Sequence, residues 1–275
     1  MVKISFTTIS KSIAVGTMAV VLATVGIMAS DTLQGVSGSL LGQVVGTNEG
    51  GQRSCPPGMI ATPMLTSIRC VDRFEAAAAA DCPYPTVRGA EETRANLAKR
   101  SCLAMSTAER APWTYVTREE ARQLCVRAGK RLATAAEWYQ LAIGTTANDC
   151  NTDTGGAAES GSYTDCQSAL GVNDTVGNVW EWVSEDVLDG QYAGRQLPKA
   201  GYVAAVAADG IPTETSESPA GEEFGADFFW SEATGAYGLL RGGFYGSGDD
   251  AGVFATQAKI KPTLSTQAIG FRCVL

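Results

Sequence analysis

The chain has 275 residues, 45% of them apolar, and a formal net charge of −8, which suits one sizeable folded domain or two small ones. The acidic balance argues against non-specific nucleic-acid binding and against a polybasic membrane patch, because both require clustered Lys and Arg. The chain has no histidine, which excludes histidine triads, the commonest general base and the facial iron triad. Zinc would need cysteines or carboxylates, and no Cys-x-x-Cys pair supplies a site.

The N-terminal segment is typical of an export signal. Lys3 and Lys11 precede an uncharged apolar run from residue 13 to residue 29, and Asp31 ends it. This pattern predicts a signal or membrane-anchor segment over residues 1–30, with the rest of the chain outside. Its length favours an uncleaved anchor and leaves a cleaved, secreted form open. Residues 31–54 are rich in Gly, Ser, Val and Gln and predict a flexible stalk. The globular domain is expected over residues 55–275.

The cysteine count indicates disulfides. All eight cysteines follow the export segment, and an even count in an exported chain is typical of an oxidising compartment. Sequence alone does not fix the connectivity. Neighbouring positions favour three short loops and one long loop: Cys55 with Cys70, Cys82 with Cys102, Cys150 with Cys166, and Cys125 with Cys273.

Two short helices are predicted between residues 117 and 144. Residues 117–120 and 134–137 each form a capping box before an apolar stripe, and Gly129 and Gly144 are typical helix stops. Beyond Gly144, short apolar stretches alternate with Gly, Asp, Asn and Ser clusters, which predicts short strands with long loops. The acidic residues 214–225 are expected to form a surface excursion. The alanine run 76–80 fits either a helical turn or a loop.

Several motifs in order resemble the sulfatase-modifying-factor family, also called the formylglycine-generating-enzyme domain. They are Cys70-Val-Asp-Arg-Phe-Glu75, Pro112-Trp-Thr-Tyr-Val116, the helix pair with Gly129-Lys-Arg-Leu132, Gly177-Asn-Val-Trp-Glu-Trp182, Leu240-Arg-Gly-Gly243 and Ile269-Gly-Phe-Arg-Cys273. The resemblance implies an α+β, C-type-lectin-like fold with two helices on mixed, mostly antiparallel sheets and with its ends close together. Alternation in a strand also predicts that Trp180 and Trp182 are buried on one face and that Glu181 points to the other.

The resemblance implies a calcium site in the loop that ends at Glu181. Its ligands would be the side chains of Asp174 and Glu181 and the carbonyls of Gly177 and Val179, oxygen donors of the kind that calcium accepts.

The same resemblance argues against catalysis. The oxidases of the family bind copper through two cysteines, and Ser247 and Gly252 stand at those positions here. No copper site and no catalytic residues are therefore expected, because soft copper requires thiolates there. The iron-dependent sulfoxide synthases of the family use three histidines, which this chain lacks.

The C-terminal segment, residues 240–275, resembles the variable region of proteins diversified by retroelements. In that class, adenine-directed mutagenesis replaces surface residues between fixed positions. The fixed positions, called the framework below, would be Arg241, Gly242, Gly243, Ala251, Gly252, Val253, Phe254, Pro262, Gly270, Phe271, Arg272 and Cys273. The candidate variable positions are Phe244, Tyr245, Gly246, Ser247, Asp249, Asp250, Thr256, Gln257, Lys259, Ile260, Ser265, Thr266, Gln267 and Ala268.

These residues predict a non-enzymatic ligand-binding display protein on the surface of a prokaryotic cell or of a virus that infects one. Its partner would be a protein or glycan on another cell or virus, and not a nucleic acid. We expect Tyr245, Asp249, Asp250, Gln257 and Lys259 to be exposed and clustered. Phe254 and Phe271 should be buried. Two alternatives remain open: an enzyme related to the formylglycine-generating oxidases, and a structural surface or filament subunit.

Overall fold

The chain divides into two units, residues 1–54 and residues 55–275, and the computed structural model describes residues 54–275. The predicted export segment and the stalk, apart from Ser54, lie outside the described residues. Across residues 54–275, no helix is both long and apolar enough to cross a membrane.

The described chain contains three α-helices: α1 Ala90–Ala98, α2 Arg118–Arg127 and α3 Ala135–Ala142. Both predicted capping boxes are present, so the Thr117 and Thr134 side chains accept hydrogen bonds from the backbone of the glutamates three residues later. Helix α1 was not predicted from the sequence. Its N-cap residue, Gly89, offers no side chain to cap the first turn, so the usual sequence signal of a helix start is missing.

Fifteen short strands make up the sheets of residues 54–275. The first five are β1 Met59–Ala61, β2 Cys70–Asp72, β3 Ala76–Ala78, β4 Ala104–Ser106 and β5 Arg131–Leu132. The next five are β6 Trp180–Leu188, β7 Gln191–Tyr192, β8 Arg195–Gln196, β9 Gly201–Val206 and β10 Pro212–Ser216. The last five are β11 Phe228–Ser231, β12 Ala236–Arg241, β13 Thr256–Ile260, β14 Ile269–Gly270 and β15 Cys273–Val274.

The largest sheet has the order β10-β9-β11-β13-β12-β6-β7-β8, with β14 paired to β6. Its pairs are antiparallel except β11 with β13 and β14 with β6. One face packs Trp180, Trp182 and Leu240 against Leu124 of α2. The opposite face packs Val183 and Leu239 with Trp138 of α3. The α+β class predicted from the sequence is therefore confirmed, including the burial of both tryptophans on one face.

A smaller sheet, β1-β2-β15-β5, brings the two ends of the described domain together. Leu275 exchanges backbone hydrogen bonds with Cys70, and Cys70 is linked to Cys55. All four predicted disulfides are present with the predicted pairing: Cys55–Cys70, Cys82–Cys102, Cys125–Cys273 and Cys150–Cys166. The domain has no free cysteine, a composition typical of an exported protein.

Two local expectations need correction. Residues 76–78 of the alanine run form strand β3, because they pair with β4 and are fully buried. Residues 214–216 of the predicted surface excursion belong to β10. The remainder, residues 217–225, is exposed except for the half-buried Phe224.

Candidate functional site

The C-terminal segment is held by Arg241, which lies at the end of β12 and is fully buried. Its guanidinium donates hydrogen bonds to the carbonyls of Gly210 and Val253, both at 3.0 Å, and to the hydroxyl of Thr256. The same group lies 5.1 Å from the ring centroid of Trp138. Burial lowers the pKa of Arg241 to about 10, which leaves it charged at neutral pH. One side chain thus ties the loop after β12, strand β13 and a distant turn together.

The two glycines after Arg241 are required by the backbone. Gly242 and Gly243 have φ values of +93° and +90°, a region that other residues rarely adopt. A Cβ atom at Gly242 would lie 2.4 Å from the carbonyl oxygen of Thr175. At Gly243 it would lie 2.5 Å from the Cβ of Ala251. These contacts give a physical reason for glycine at both positions.

Residues 271–273, near the end of the C-terminal segment, are buried like Arg241 at its beginning. Phe271 is fully buried with its ring 6.5 Å from that of Trp113. Arg272 forms a buried ion pair with Glu181 and also donates to the carbonyl of Asn173 at 2.8 Å. Next to it, Cys273 forms the long-range disulfide. Nine of the twelve framework residues are buried, and Val253, Phe254 and Pro262 are half-buried.

The candidate variable positions have the opposite character. Twelve of the fourteen are half-buried or exposed. The exceptions are Tyr245, which is 6% exposed, and Thr256, which is fully buried with its hydroxyl on Arg241. The expectation that Tyr245 and Thr256 are surface residues is wrong. Phe254 also departs from expectation: it is half-buried, and its ring packs against Tyr139 and Phe224.

The expected single cluster divides between several places. Tyr245 and Gln267 line a groove of about 260 Å³ together with Tyr115 and Arg88; we call this the Tyr115 groove. Asp249 lines a separate groove of about 450 Å³. The other candidates on strand β13, Gln257 and Lys259, line neither groove.

The second groove, called the Asp227 groove below, is acidic. Its charged lining residues are Glu222, Glu223, Asp227 and Asp249, and Phe224 and Phe254 supply apolar surface. The Asp227 carboxylate accepts a hydrogen bond from the backbone N–H of Phe254 at 2.7 Å. Burial raises the pKa of Asp227 to about 7, and the negative charge of Asp250 adds to this effect.

The two positions that hold copper-binding cysteines in the oxidases do not fit that metal here. The Ser247 hydroxyl accepts a hydrogen bond from the backbone N–H of Phe244 at 3.0 Å. Position 252 has no room for a side chain, because a Cβ there would lie 1.8 Å from a carboxylate oxygen of Asp227. The Asp227 carboxylate therefore occupies the place of a side chain at position 252. Neither position offers a thiolate, which soft copper prefers.

The proposed calcium ligands are placed as a protein-only network. Glu181 directs both carboxylate oxygens to Arg272, at 2.7 and 2.8 Å from its Nε, and accepts a third bond from the indole N–H of Trp138 at 2.7 Å. Asp174 accepts from the backbone N–H of Gly161. Gly177 and Val179 are buried in the same loop.

Buried carboxyl groups lie close to one another beside this loop. Burial, with the charges of Asp174 and Glu181, raises the pKa of the adjacent Glu75 well above its ordinary value. Burial likewise raises the pKa of Asp174 to about 6. Within residues 54–275, no three carboxylate or sulfur side chains are arranged to hold a metal. A calcium ion that uses Glu181 would have to replace the bonds of this carboxylate to Arg272 and Trp138, and calcium binding at this loop stays a prediction.

Sequence reasoning missed three residues of the two grooves: Arg88, Tyr115 and Asp227. Tyr115 lies in one of the family motifs, but nothing in the sequence marks its left-handed backbone, with φ at +53°. Asp227 lies outside every motif. Its importance depends on its contact with residue 252, which is 25 positions away in the chain and visible only in three dimensions.

The fold and these sites define the class of the domain, an α+β disulfide-linked module with a buried framework beneath its C-terminal segment. Residues 147–275 match the family model of the sulfatase-modifying factor enzyme 1-like domain. The match confirms the family resemblance over that part of the chain. No curated protein sequence matches the chain.

Several solved structures are similar to the chain. The Major Tropism Determinant P3c variant is 16% identical with a TM-score of 0.44, over 80% of this chain and 52% of that one. Treponema denticola variable protein 1 is 15% identical with a TM-score of 0.41, over 80% and 92%. PvdO from Pseudomonas aeruginosa is 14% identical with a TM-score of 0.43, over 78% and 89%. The chain thus spans about half the length of the Major Tropism Determinant, and at such low identities these likenesses do not decide the function.

Proposed function

We propose that this protein is a non-enzymatic, ligand-binding display protein with a C-type-lectin-like domain, whose residues 240–275 are diversified by a retroelement. The observation that supports it best is the segregation of this segment. The framework is largely buried, whereas twelve of the fourteen candidate variable positions reach the surface. Three of these twelve, Gly246, Asp249 and Gln267, are exposed, and the other nine are half-buried. Substitution at exposed positions usually changes stability by less than about 0.5 kcal/mol, so the segment tolerates change best at those three.

A rigid scaffold is the second requirement of this function. Arg241 fixes the loop after β12 and Arg272 fixes the end of the segment, each through several hydrogen bonds. The Cys125–Cys273 disulfide closes a separation of 148 residues, which stabilises the fold by roughly 4–5 kcal/mol in a chain-entropy estimate. Side chains can therefore be exchanged on the surface while the backbone beneath them is held.

Two features support a binding role over the oxidase alternative. Positions 247 and 252 supply no thiol, and Asp227 fills the space that a side chain at position 252 would need. The disulfide-bonded domain suits the outside of a cell or virus, and the apolar segment at residues 13–29 supplies its anchor in this proposal. The partner is a protein or glycan on another cell or virus.

The proposal is tested by sequencing the gene from many members of one population, together with its flanking DNA. We expect substitutions at the candidate variable positions, adenine-directed and absent from the framework codons, and a neighbouring reverse-transcriptase gene with a near-identical template repeat. Because Tyr245 and Thr256 are buried, substitutions there should be fewer and conservative. An invariant segment, or substitutions spread evenly over framework and surface codons, would contradict the proposal.

A further inference from the structure

The Tyr115 groove joins fixed and variable parts of the chain. Tyr245 and Gln267 come from the predicted variable segment, whereas Arg88, Tyr115 and residues 155–157 lie outside it. The parts are tied together by short contacts. The carbonyl of Tyr245 accepts hydrogen bonds from the backbone N–H groups of Thr154 and Gly155 at 3.0 and 3.2 Å. These hydrogen bonds hold the two sides of the groove in a defined geometry.

Tyr115 is held in a costly conformation beside this groove. Its φ of +53° lies in the left-handed region, which is unusual and unfavourable for a bulky residue. The backbone N–H of Tyr115 donates to the carbonyl of Thr266 at 2.9 Å. Its hydroxyl lies 3.4 Å from the amide oxygen of Gln267. Strain of this kind is concentrated at ligand-binding sites.

Among the described residues, Arg88 is the only charged one that lines the groove. Its side chain is exposed, and within residues 54–275 it forms no ion pair. The Glu92 carboxylate accepts a hydrogen bond from the backbone N–H of Arg88 at 2.6 Å. A guanidinium presents a planar fork of donors that matches a carboxylate. The guanidinium of Arg88 is thus free to bind an anionic group of a ligand, although the protein as a whole has a net charge of −8.

We propose that the Tyr115 groove is an anchor site for a carboxylate side chain, Glu or Asp, of a protein ligand. Arg88 binds the carboxylate, and Tyr115 packs against its methylene groups, while the small exposed part of Tyr245 lines the same groove. Two tyrosines and one arginine are the residue types that dominate binding energy in protein interfaces. Because Arg88 and Tyr115 lie outside the variable segment, every diversified copy shares this preference. Positions 245 and 267 then adjust the surroundings of the same anchor.

The test uses the full-length protein and two short peptides that differ only in a central Glu or Gln, flanked by glycines and blocked at both ends. Binding is followed by NMR from the backbone amide resonances of Gly155 and Gly156, which line the groove and are present in every variant. We expect the Glu peptide to bind about tenfold more tightly than the Gln peptide, with a dissociation constant in the millimolar range. Arg88→Gln should abolish this preference.

Arg94→Gln is the matched control, because Arg94 is an exposed arginine of α1 that pairs with Glu91 and does not line the groove; it should retain the preference. Equal binding of the two peptides to the wild-type protein, or a preference that survives Arg88→Gln, overturns the anchor site. So does tighter binding of glucuronate than of the Glu peptide. The anchor site rests on the proposed function in treating this surface as ligand-facing. The two proposals can fail separately. An invariant gene segment would contradict diversification without affecting the peptide result, which tests the anchor site alone.

Discussion

Single side chains decide how the C-terminal segment is built. Arg241 and Arg272 are both fully buried, and each donates hydrogen bonds to backbone carbonyls and to one polar side chain, although the Nε of Arg241 has no partner among the described residues. The resemblance to proteins diversified by retroelements predicts that both are fixed positions, without giving a physical reason. The structure supplies the reason: removal of either guanidinium leaves several buried carbonyls without a donor, and each such loss costs about 1–3 kcal/mol.

The contact between Gly252 and Asp227 gives a prediction at this scale. Gly252→Ala should destabilise the domain by about 1–3 kcal/mol through overpacking, because the new Cβ would meet a buried carboxylate. The cost should shrink in the Asp227→Gly background, with a coupling of about 1 kcal/mol in a double-mutant cycle. Unfolding in urea measures both. The control is Gly156→Ala, where a Cβ has open space, and equal costs at both glycines would contradict the contact.

The raised pKa of Asp227 predicts a pH dependence of stability. In the folded protein burial holds this pKa at about 7, against an ordinary value of 3.8. The folded state therefore binds an extra proton between about pH 4 and pH 7, and this contribution to stability is lost as the pH rises through that window. Asp227→Asn, which stays neutral, should lose less free energy of unfolding than the wild type over the same range. Parallel pH profiles of the two proteins would show that Asp227 titrates normally.

At the scale of elements, the sequence predicted those structures whose signals are local. Helices α2 and α3 were predictable because each begins with a capping box. Helix α1 was missed because its N-cap residue is a glycine, which has no side chain to form a cap. Residues 76–78 of the alanine run form strand β3 by pairing with β4, which lies nearly thirty residues away in the chain. Local propensity cannot report such a pairing. The division of the variable positions among several separate places escaped prediction for the same reason, since it depends on loops from distant parts of the chain.

The loop that ends at Glu181 provides an element-scale test of calcium binding. The calcium site implied by the family resemblance predicts a lower thermal midpoint in EDTA than in excess calcium, although Glu181 is already bonded to Arg272 and Trp138. A ligand that binds only the folded state raises the midpoint by mass action. The rise with calcium should disappear in Asp174→Ala, and the same midpoint in EDTA and in excess calcium would contradict the site. Magnesium at the same concentration serves as the control for ionic strength.

For the whole molecule, the arrangement separates stability from recognition. The core lies on both faces of the large sheet, the disulfides connect its ends, and the side chains proposed to vary lie mostly outside the core. This separation was expected from the resemblance of residues 240–275 to the variable region of proteins diversified by retroelements. The sequence could not predict that Tyr245 and Thr256 are buried, because their burial depends on contacts with residues far away in the chain.

The separation predicts two different responses to mutation. Phe271→Ala should lower the free energy of unfolding by about 3–5 kcal/mol, because it leaves a cavity in the core beside Trp113. The half-buried Phe254 should cost less when it is truncated. Substitutions at the exposed Asp249 and Gln267 should each change stability by less than about 0.5 kcal/mol, and together they should stay nearly additive. Chemical denaturation with the disulfides intact measures the four single variants and the double variant at Asp249 and Gln267. If the two exposed positions proved as costly as Phe271, the segment could not tolerate diversification, because each new variant would threaten the fold that displays it.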